Sequence, residues 1–456
     1  MRAQCSPCSY SESVAENSEL RRSLGPFTLW GLGVGYVISG EYFGWNLGLP
    51  IGGSYGMLAA TVLVTFMYVS FILSYTELAC AIPRAGGAFV YCARAFGPLG
   101  GCVGGLVQII EFVFAPPAIA MAVAAYIHQR FGGVPVELIA IGAYLLFTGL
   151  NAWGVRQAAL FELAVTVLAV GELLLFCGLT LPSFDWAHFS HNSLPNGYSG
   201  IFACLPFAIW FYLAIEGVAN AAEEAHNPQR NVALGFGTAM LTLVVLAMAV
   251  FFSATGVAGW EQIVYPVPGA EASDAPLPLA LALVVGNDSP WYTLLLGVGL
   301  LGLIASFHGI ILVAGRATFE FGRSGFAPAA LARIHPGSGT PRAALAVNLV
   351  AGVIAILSGR TAEIITLACF GAVSLYILSM AALIRLRRVE KDLHRPFMAV
   401  GYPYLAVLAL VLAAICLISL FYYNAQIGLL FLGLVGLGLV YYALRGRHQI
   451  VPNWAS

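Results

Sequence analysis

The chain has 456 residues, 60% hydrophobic and only 9% charged, with 20 basic and 21 acidic side chains and a net charge of −1. An ordinary soluble domain carries about 25% charged residues, so this composition excludes a soluble enzyme, a disordered chain and a disulfide-stapled secreted scaffold. The near-neutral balance also lacks the electrostatic footprint of a nucleic-acid binder.

What remains is an all-α polytopic membrane protein. Residues 1–24 are expected to form a polar cytoplasmic tail, acidic through Glu12, Glu16 and Glu19. A basic start followed by a short apolar core would mark a signal peptide. Neither is there, so the first span is expected to stay in the mature protein. Cys5 and Cys8 form a C-x-x-C in this tail. With no second ligand pair nearby, an unpacked tail is the better reading than a metal or redox site. Cys80, Cys102, Cys177, Cys204, Cys369 and Cys416 lie in apolar runs, where thiols behave as small hydrophobes.

The apolar runs predict twelve transmembrane helices, at 27–50, 57–80, 98–126, 136–154, 158–181, 199–222, 231–258, 291–316, 342–358, 362–385, 401–421 and 425–444. They are too long for barrel strands and lack a two-residue alternation. With both termini cytoplasmic, 18 of the 20 Lys and Arg fall inside and only Arg130 and Arg360 outside, as the positive-inside rule requires. The loop at 259–290 is then external and acidic, through Glu261, Glu271, Asp274 and Asp288. Its apolar stretch at 278–285 is too short to cross and is expected to lie as a helix over the outer mouth.

Two spans depart from the plain apolar pattern. The first runs through Gly31, Gly33, Gly35, Tyr36, Ser39, Gly40, Glu41, Tyr42, Phe43, Gly44, Trp45 and Asn46. The sixth runs through Pro206, Trp210, Phe211, Tyr212, Glu216, Gly217 and Asn220. Glycines alone are equally suited to close helix packing. A similar interruption five spans later points to an inverted-repeat transporter, because unwound backbone survives at that depth only beside a cavity.

Glu41, Glu77, Glu111, Glu172 and Glu216 lie within or at the edge of spans. Each costs at least about 2.5 kcal/mol at mid-bilayer, so each needs a partner or a wet cavity. No Lys or Arg lies near mid-depth. Several acids without a basic partner suit a cation, either an organic ammonium or a proton; the plain alternative is protonated carboxyls bonded to backbone. Glu77, near Arg84 and Arg94, is expected in a structural ion pair. Glu111 precedes Pro116 and Pro117, which are expected to kink the third span. Aromatics gather at the same points, and ring faces attract ammonium groups. His308 is the one histidine deep in a span. It suits a proton relay or a packed neutral imidazole.

Four segments carry a family resemblance: 76–91, with Pro83, Arg84, Gly86 and Gly87; 207–231, with Glu216, Gly217, Asn227, Pro228 and Arg230; 321–325 followed by Pro341; and Arg395, Pro396, Phe397 followed by Gly401, Tyr402, Pro403. They resemble the amino acid–polyamine–organocation superfamily of permeases, over nearly the whole chain. Residues 33–46 and 108–117 look most like the ethanolamine permeases. The resemblance implies a five-plus-five inverted repeat over 25–385, two further helices over 386–446, a cytoplasmic tail over 447–456, and a site between broken spans 1 and 6.

Amino-acid members commonly have Gly-Ser-Gly in the span 1 break, whose free N–H groups hold the substrate carboxylate. Here Ser39, Gly40 and Glu41 stand there. Two like charges about 4 Å apart repel by about 4 kcal/mol at an effective dielectric near 20, whereas an amine without a carboxylate is attracted.

The expected function is therefore ethanolamine import across the cell membrane by alternating access. Ser39, Gly40, Glu41, Tyr42, Glu111, Trp210, Phe211, Tyr212 and Glu216 are the expected substrate-binding residues, and Glu172, Glu216 and His308 the coupling candidates. Ala169 stands near the place where some amino-acid members have a lysine switch, so coupling by such a lysine is not expected. H+ or Na+ remain open as coupled ions, and uniport is open too: one positive charge crossing 100 mV gains about 2.3 kcal/mol, roughly 50-fold accumulation. An amino-acid or polyamine permease is the alternative on the same fold, and a non-cycling sensor the alternative of another class. Besides the solute, only lipid is an expected partner. No metal-ligand cluster, nucleophile with an adjacent base or phosphate-cradling loop stands in the sequence, so neither an enzyme nor a resident cofactor is expected.

Overall fold

In lipid an apolar run can satisfy its peptide groups by coiling into a helix. The chain does so seventeen times among the residues described by a computed structural model, 24–84, 86–153 and 158–444. Cys5, Cys8, Arg2, Arg21, Arg22, Arg156, Arg445 and Arg447 lie outside those residues. The first half comprises α1 (Pro26–Val37), α2 (Ser39–Tyr42), a 3-10 turn (Trp45–Gly48), α3 (Leu49–Ala81), α4 (Ala88–Phe131), α5 (Val136–Trp153) and α6 (Ala158–Thr180). After the short α7 (Trp186–Ser190) come α8 (Gly197–Ala203), α9 (Leu205–Trp210), a 3-10 segment (Ile215–Glu224) and α10 (Pro228–Thr255). The rest is α11 (Trp260–Val264), α12 (Pro276–Val285), α13 (Pro290–Arg323), α14 (Arg342–Leu357), α15 (Thr361–Val389), α16 (Tyr404–Tyr423) and α17 (Ala425–Leu444).

Nine helical stretches among the described residues are long and apolar enough to cross a membrane, and α8 with α9 and its continuation forms a tenth, bent by 42°. Length and composition thus reach ten of the twelve expected spans. The other two correspond to shorter segments: the interrupted α1 and α2, and the 16 residues of α14.

The core is a bundle in which α4 packs along both α13 and α15, while α1 packs on α6 and α10. Trp45, Tyr42, Tyr68, Tyr75, Tyr126, Tyr212 and Tyr376 are buried inside it. On α16 and α17, Ile418, Leu429 and Leu437 face outward, as lipid-facing side chains do. The helix expected at 278–285 is α12; it rests on α6, α10, α11 and α13.

Two expectations gain detail. The third span stays helical through Pro116 and Pro117, and its non-helical residue is Gly97, at φ +75°. A proline's fixed φ is compatible with the helix, and Pro116 and Pro117 lie within it. Gly97 supplies a left-handed φ that other residues avoid. Glu77 is indeed ion-paired, but not with Arg84 or Arg94. Its carboxylate binds Arg387 (Nε–Oε1 2.7 Å) and Arg395 (3.2 Å), and accepts the Ala399 N–H at 2.7 Å. Arg94 pairs with Glu390 at 2.9 Å. Charges close in sequence are outcompeted by those that α15 and the segment after it deliver.

Candidate functional site

The two expected interruptions meet. The first falls at Phe43 and Gly44, just after Glu41: α2 ends, Phe43 is extended and Gly44 has φ +91°. The second falls at 211–214, just before Glu216, where Ala214 adopts a left-handed φ of +78°. They touch directly. A Cβ on Gly40 would overlap the Trp210 carbonyl oxygen, and one on Gly44 the Trp210 indole. Phe43 meets Trp210 edge-on at 5.5 Å, and Trp45 stacks on Phe211 at 5.7 Å. Trp210 and Phe211 thus seal the first break. The Trp210 Nε1 has no hydrogen-bond acceptor.

Around this seam the buried acids divide into separate groups. Glu41 is fully buried, and neither of its carboxyl oxygens has a hydrogen-bond partner. Its carbonyl accepts the Trp45 indole N–H at 3.1 Å. Tyr212 and Cys177 are within electrostatic reach of its carboxyl, and the Tyr212 hydroxyl is held by Thr65 at 2.8 Å.

Glu111 of α4 faces Glu216. The Ala214 backbone N–H is directed at the Glu111 carboxyl, but outside strict hydrogen-bond geometry. Tyr376 donates to Glu216 Oε2 at 3.1 Å, which leaves Tyr68 as the donor to Tyr376 at 3.0 Å. Two facing carboxyls with one phenol donor suit one shared proton.

Tyr42 donates to Glu172 Oε2 at 2.5 Å, and Tyr126 reaches the Tyr42 carbonyl at 3.4 Å. Ser306 Oγ lies 2.8 Å from both the Tyr36 carbonyl and Ser39 Oγ, and its single proton is shared between these two acceptors.

Of the expected site residues, Glu111 and Glu216 are brought together, as are Tyr42 and Glu172. No hydrogen bond joins Glu41 to Glu111 or Glu216. His308 is taken up elsewhere: Asn151 donates to its Nδ1 at 3.0 Å, so the proton sits on Nε2, and Phe147 packs on the ring. Those are the contacts a packed imidazole makes. Glu162 escapes the sequence reading because it stands near the start of the fifth span, where an acid passes for an interfacial one. It is buried, with Oε1 unpartnered, between Gly35 and Gly309. Tyr68, Tyr126 and Tyr376 also escape it, since buried phenols give no signal that separates them from packing aromatics.

On the loop side the site is covered. Asn46 donates to the Ser273 carbonyl at 2.8 Å, and Thr361 to Asp274 Oδ2 at 2.7 Å. Burial pushes the Asp274 carboxyl up to about 6, against the stabilising Thr361 hydrogen bond. Among the described residues no group of three or more His, Cys, Asp or Glu is arranged to hold a metal ion.

A helical bundle whose two interrupted helices meet amid unpaired buried carboxyls defines a secondary transporter, a multi-pass integral membrane protein rather than an enzyme. The chain belongs to the amino acid permease family, whose model matches residues 24–435. It is 27% identical to an uncharacterized transporter of Rhizobium meliloti (strain 1021), over 88% of this chain and 87% of that one. It is 25% identical to the branched-chain amino acid permease BcaP of Bacillus subtilis (strain 168), over 96% of each chain. The methylthioribose transporter of the same organism is 26% identical over 98% of each.

Proposed function

We propose that this permease imports ethanolamine across the cell membrane by alternating access, with both termini in the cytoplasm. The observation that carries the reading is Glu41: fully buried at the first helix break, with both oxygens unpartnered. A carboxylate so placed attracts an ammonium and repels the carboxylate of an amino acid. Glu41 holds the ammonium, with unwound carbonyls around it. Trp210, Phe211 and Tyr212 wall the site. Glu111 supplies an acidic contact to the substrate hydroxyl. Glu216, beside the left-handed Ala214, links movement of the second broken helix to occupancy.

The test is uptake of radiolabelled ethanolamine in a strain lacking its own carrier. Glu41→Gln removes a charged hydrogen bond of about 1.5–3 kcal/mol, so uptake should fall by about tenfold to a hundredfold. Wild-type uptake by this variant removes the role assigned to Glu41. The second reading, an amino-acid or polyamine permease, is favoured by the named substrate of the branched-chain relative. Competition by neutral amino acids but not by ethanolamine would select it. A carrier exchanges preloaded solute; a non-cycling sensor does not.

A further inference from the structure

Glu172 of α6 stands apart from the seam between the two breaks, yet it reaches both span 1 and the loop side of the molecule. One of its oxygens, Oε2, accepts the Tyr42 hydroxyl at 2.5 Å. The carboxyl also lines a cavity of about 10 Å³, together with Tyr126, Tyr292 and Leu281, room for a single water. Tyr292 belongs equally to an open cleft of about 640 Å³, with Gln129, Arg130, Gln262, Asn287 and Asp288. Tyr292 donates to Gln129 at 2.9 Å. The helix α12 separates the two spaces, giving Leu281 to the inner one and Leu279 and Ala282 to the outer. Tyr292 thus lines both the wide polar cleft and the water-sized space beside the buried Glu172.

We propose that Glu172 is a proton-binding site loaded from the cleft beside α12, and that the permease carries its solute together with that proton. The inference rests on the transporter reading and names the ion that drives it. The proton passes from bulk water in the cleft to Glu172 Oε1, while Oε2 keeps the Tyr42 hydroxyl. A hydrogen bond to a carboxylate is roughly twice as strong as one to a neutral group. Loading therefore weakens the tie between α6 and Tyr42, which is next to Glu41. Proton occupancy is in this way transmitted to the first break, where the solute binds. The titratable and charged groups facing Glu172 are Tyr42 from α2, Tyr126 from α4, Tyr292 from α13 and Cys177 from α6 itself, with Arg130 and Asp288 further out in the cleft. None of those that touch it is a cation, so a proton is the charge its site can take up.

The full chain in liposomes, with the membrane potential clamped at zero, gives the test. Ethanolamine, leucine and arginine are first compared in counterflow, and the exchanged solute is used thereafter. Selection of an amino acid overturns the ethanolamine reading and leaves the proton test in force. With the cleft side more acid by one pH unit, the wild type should accumulate solute up to about tenfold for one-to-one coupling. Glu172→Gln should keep counterflow within about twofold and lose that accumulation. A wild type indifferent to the gradient, or a Glu172→Gln variant that still responds fully, overturns the proposal. An infrared difference spectrum of the purified protein between acid and neutral pH needs no solute and no transport by the variant. A protonated-carboxyl band that Glu172→Gln removes supports the site, and a spectrum unchanged by the substitution overturns it.

Discussion

Glu77 shows how much rides on single charges in a bundle this poor in them. Its carboxylate is almost wholly buried, yet it gathers two arginines and a peptide N–H where α3, α15 and the segment that follows meet. Removing one member of such a buried set leaves an uncompensated charge, at a cost of about 3–5 kcal/mol. Glu77→Ala should therefore lower the thermal unfolding temperature of the detergent-purified protein markedly. The paired replacement Glu77→Met with Arg387→Met should recover part of the loss, because it removes a buried charge from each side. The contrast with Glu41 is instructive. Both are buried acids on helices, and the sequence sets them apart only by the arginines that follow Glu77, which are not the ones it pairs with. One is answered by arginines more than 300 positions away, the other by nothing.

The two broken helices were legible as elements because their causes are local. Glycines, a proline and a carboxylate in a stretch that ought to be uniformly apolar mark a helix that does not run through. The exact breakpoints were not legible. The first lies after Glu41 rather than at Ser39 and Gly40, and the second at Ala214, which has no sequence signature of a left-handed residue. Contact decides both: Trp210 occupies the space beside Gly40 and Gly44. Gly44→Ala adds a methyl group into that indole, at a φ costly for any L side chain. It should abolish uptake and reduce the amount of folded protein recovered. At Ala214 the residue itself bears the strain. Ala214→Gly should raise stability by a few tenths to 1 kcal/mol and keep transport, whereas Ala214→Val should lose both. Melting temperature and uptake, measured on the same preparations, check the three variants.

Across the whole molecule, the distribution of 20 basic residues predicts that the loop between α10 and α13 is external and the segment after α13 internal. Single cysteines at Gly269 and Arg333, both exposed positions, test this with a membrane-impermeant thiol reagent on intact cells. Position 269 should react and 333 should not; the native cysteines among the described residues are buried, and Cys5 and Cys8 are replaced by serine for the experiment. By itself the sequence determined the solvent, the helical class, the order of the apolar segments, the family resemblance and five of the acids that lie within or at the edge of spans. These follow from composition and from patterns a few residues long. Only the tertiary structure decided that Glu111 faces Glu216, that Tyr42 holds Glu172 across 130 positions, that Asn151 occupies His308, and that Glu162 is buried at all. The reason is physical. Hydropathy sets how deep a residue lies along its helix, but the direction in which its side chain points, and so its partner, is set by how the helices pack against one another.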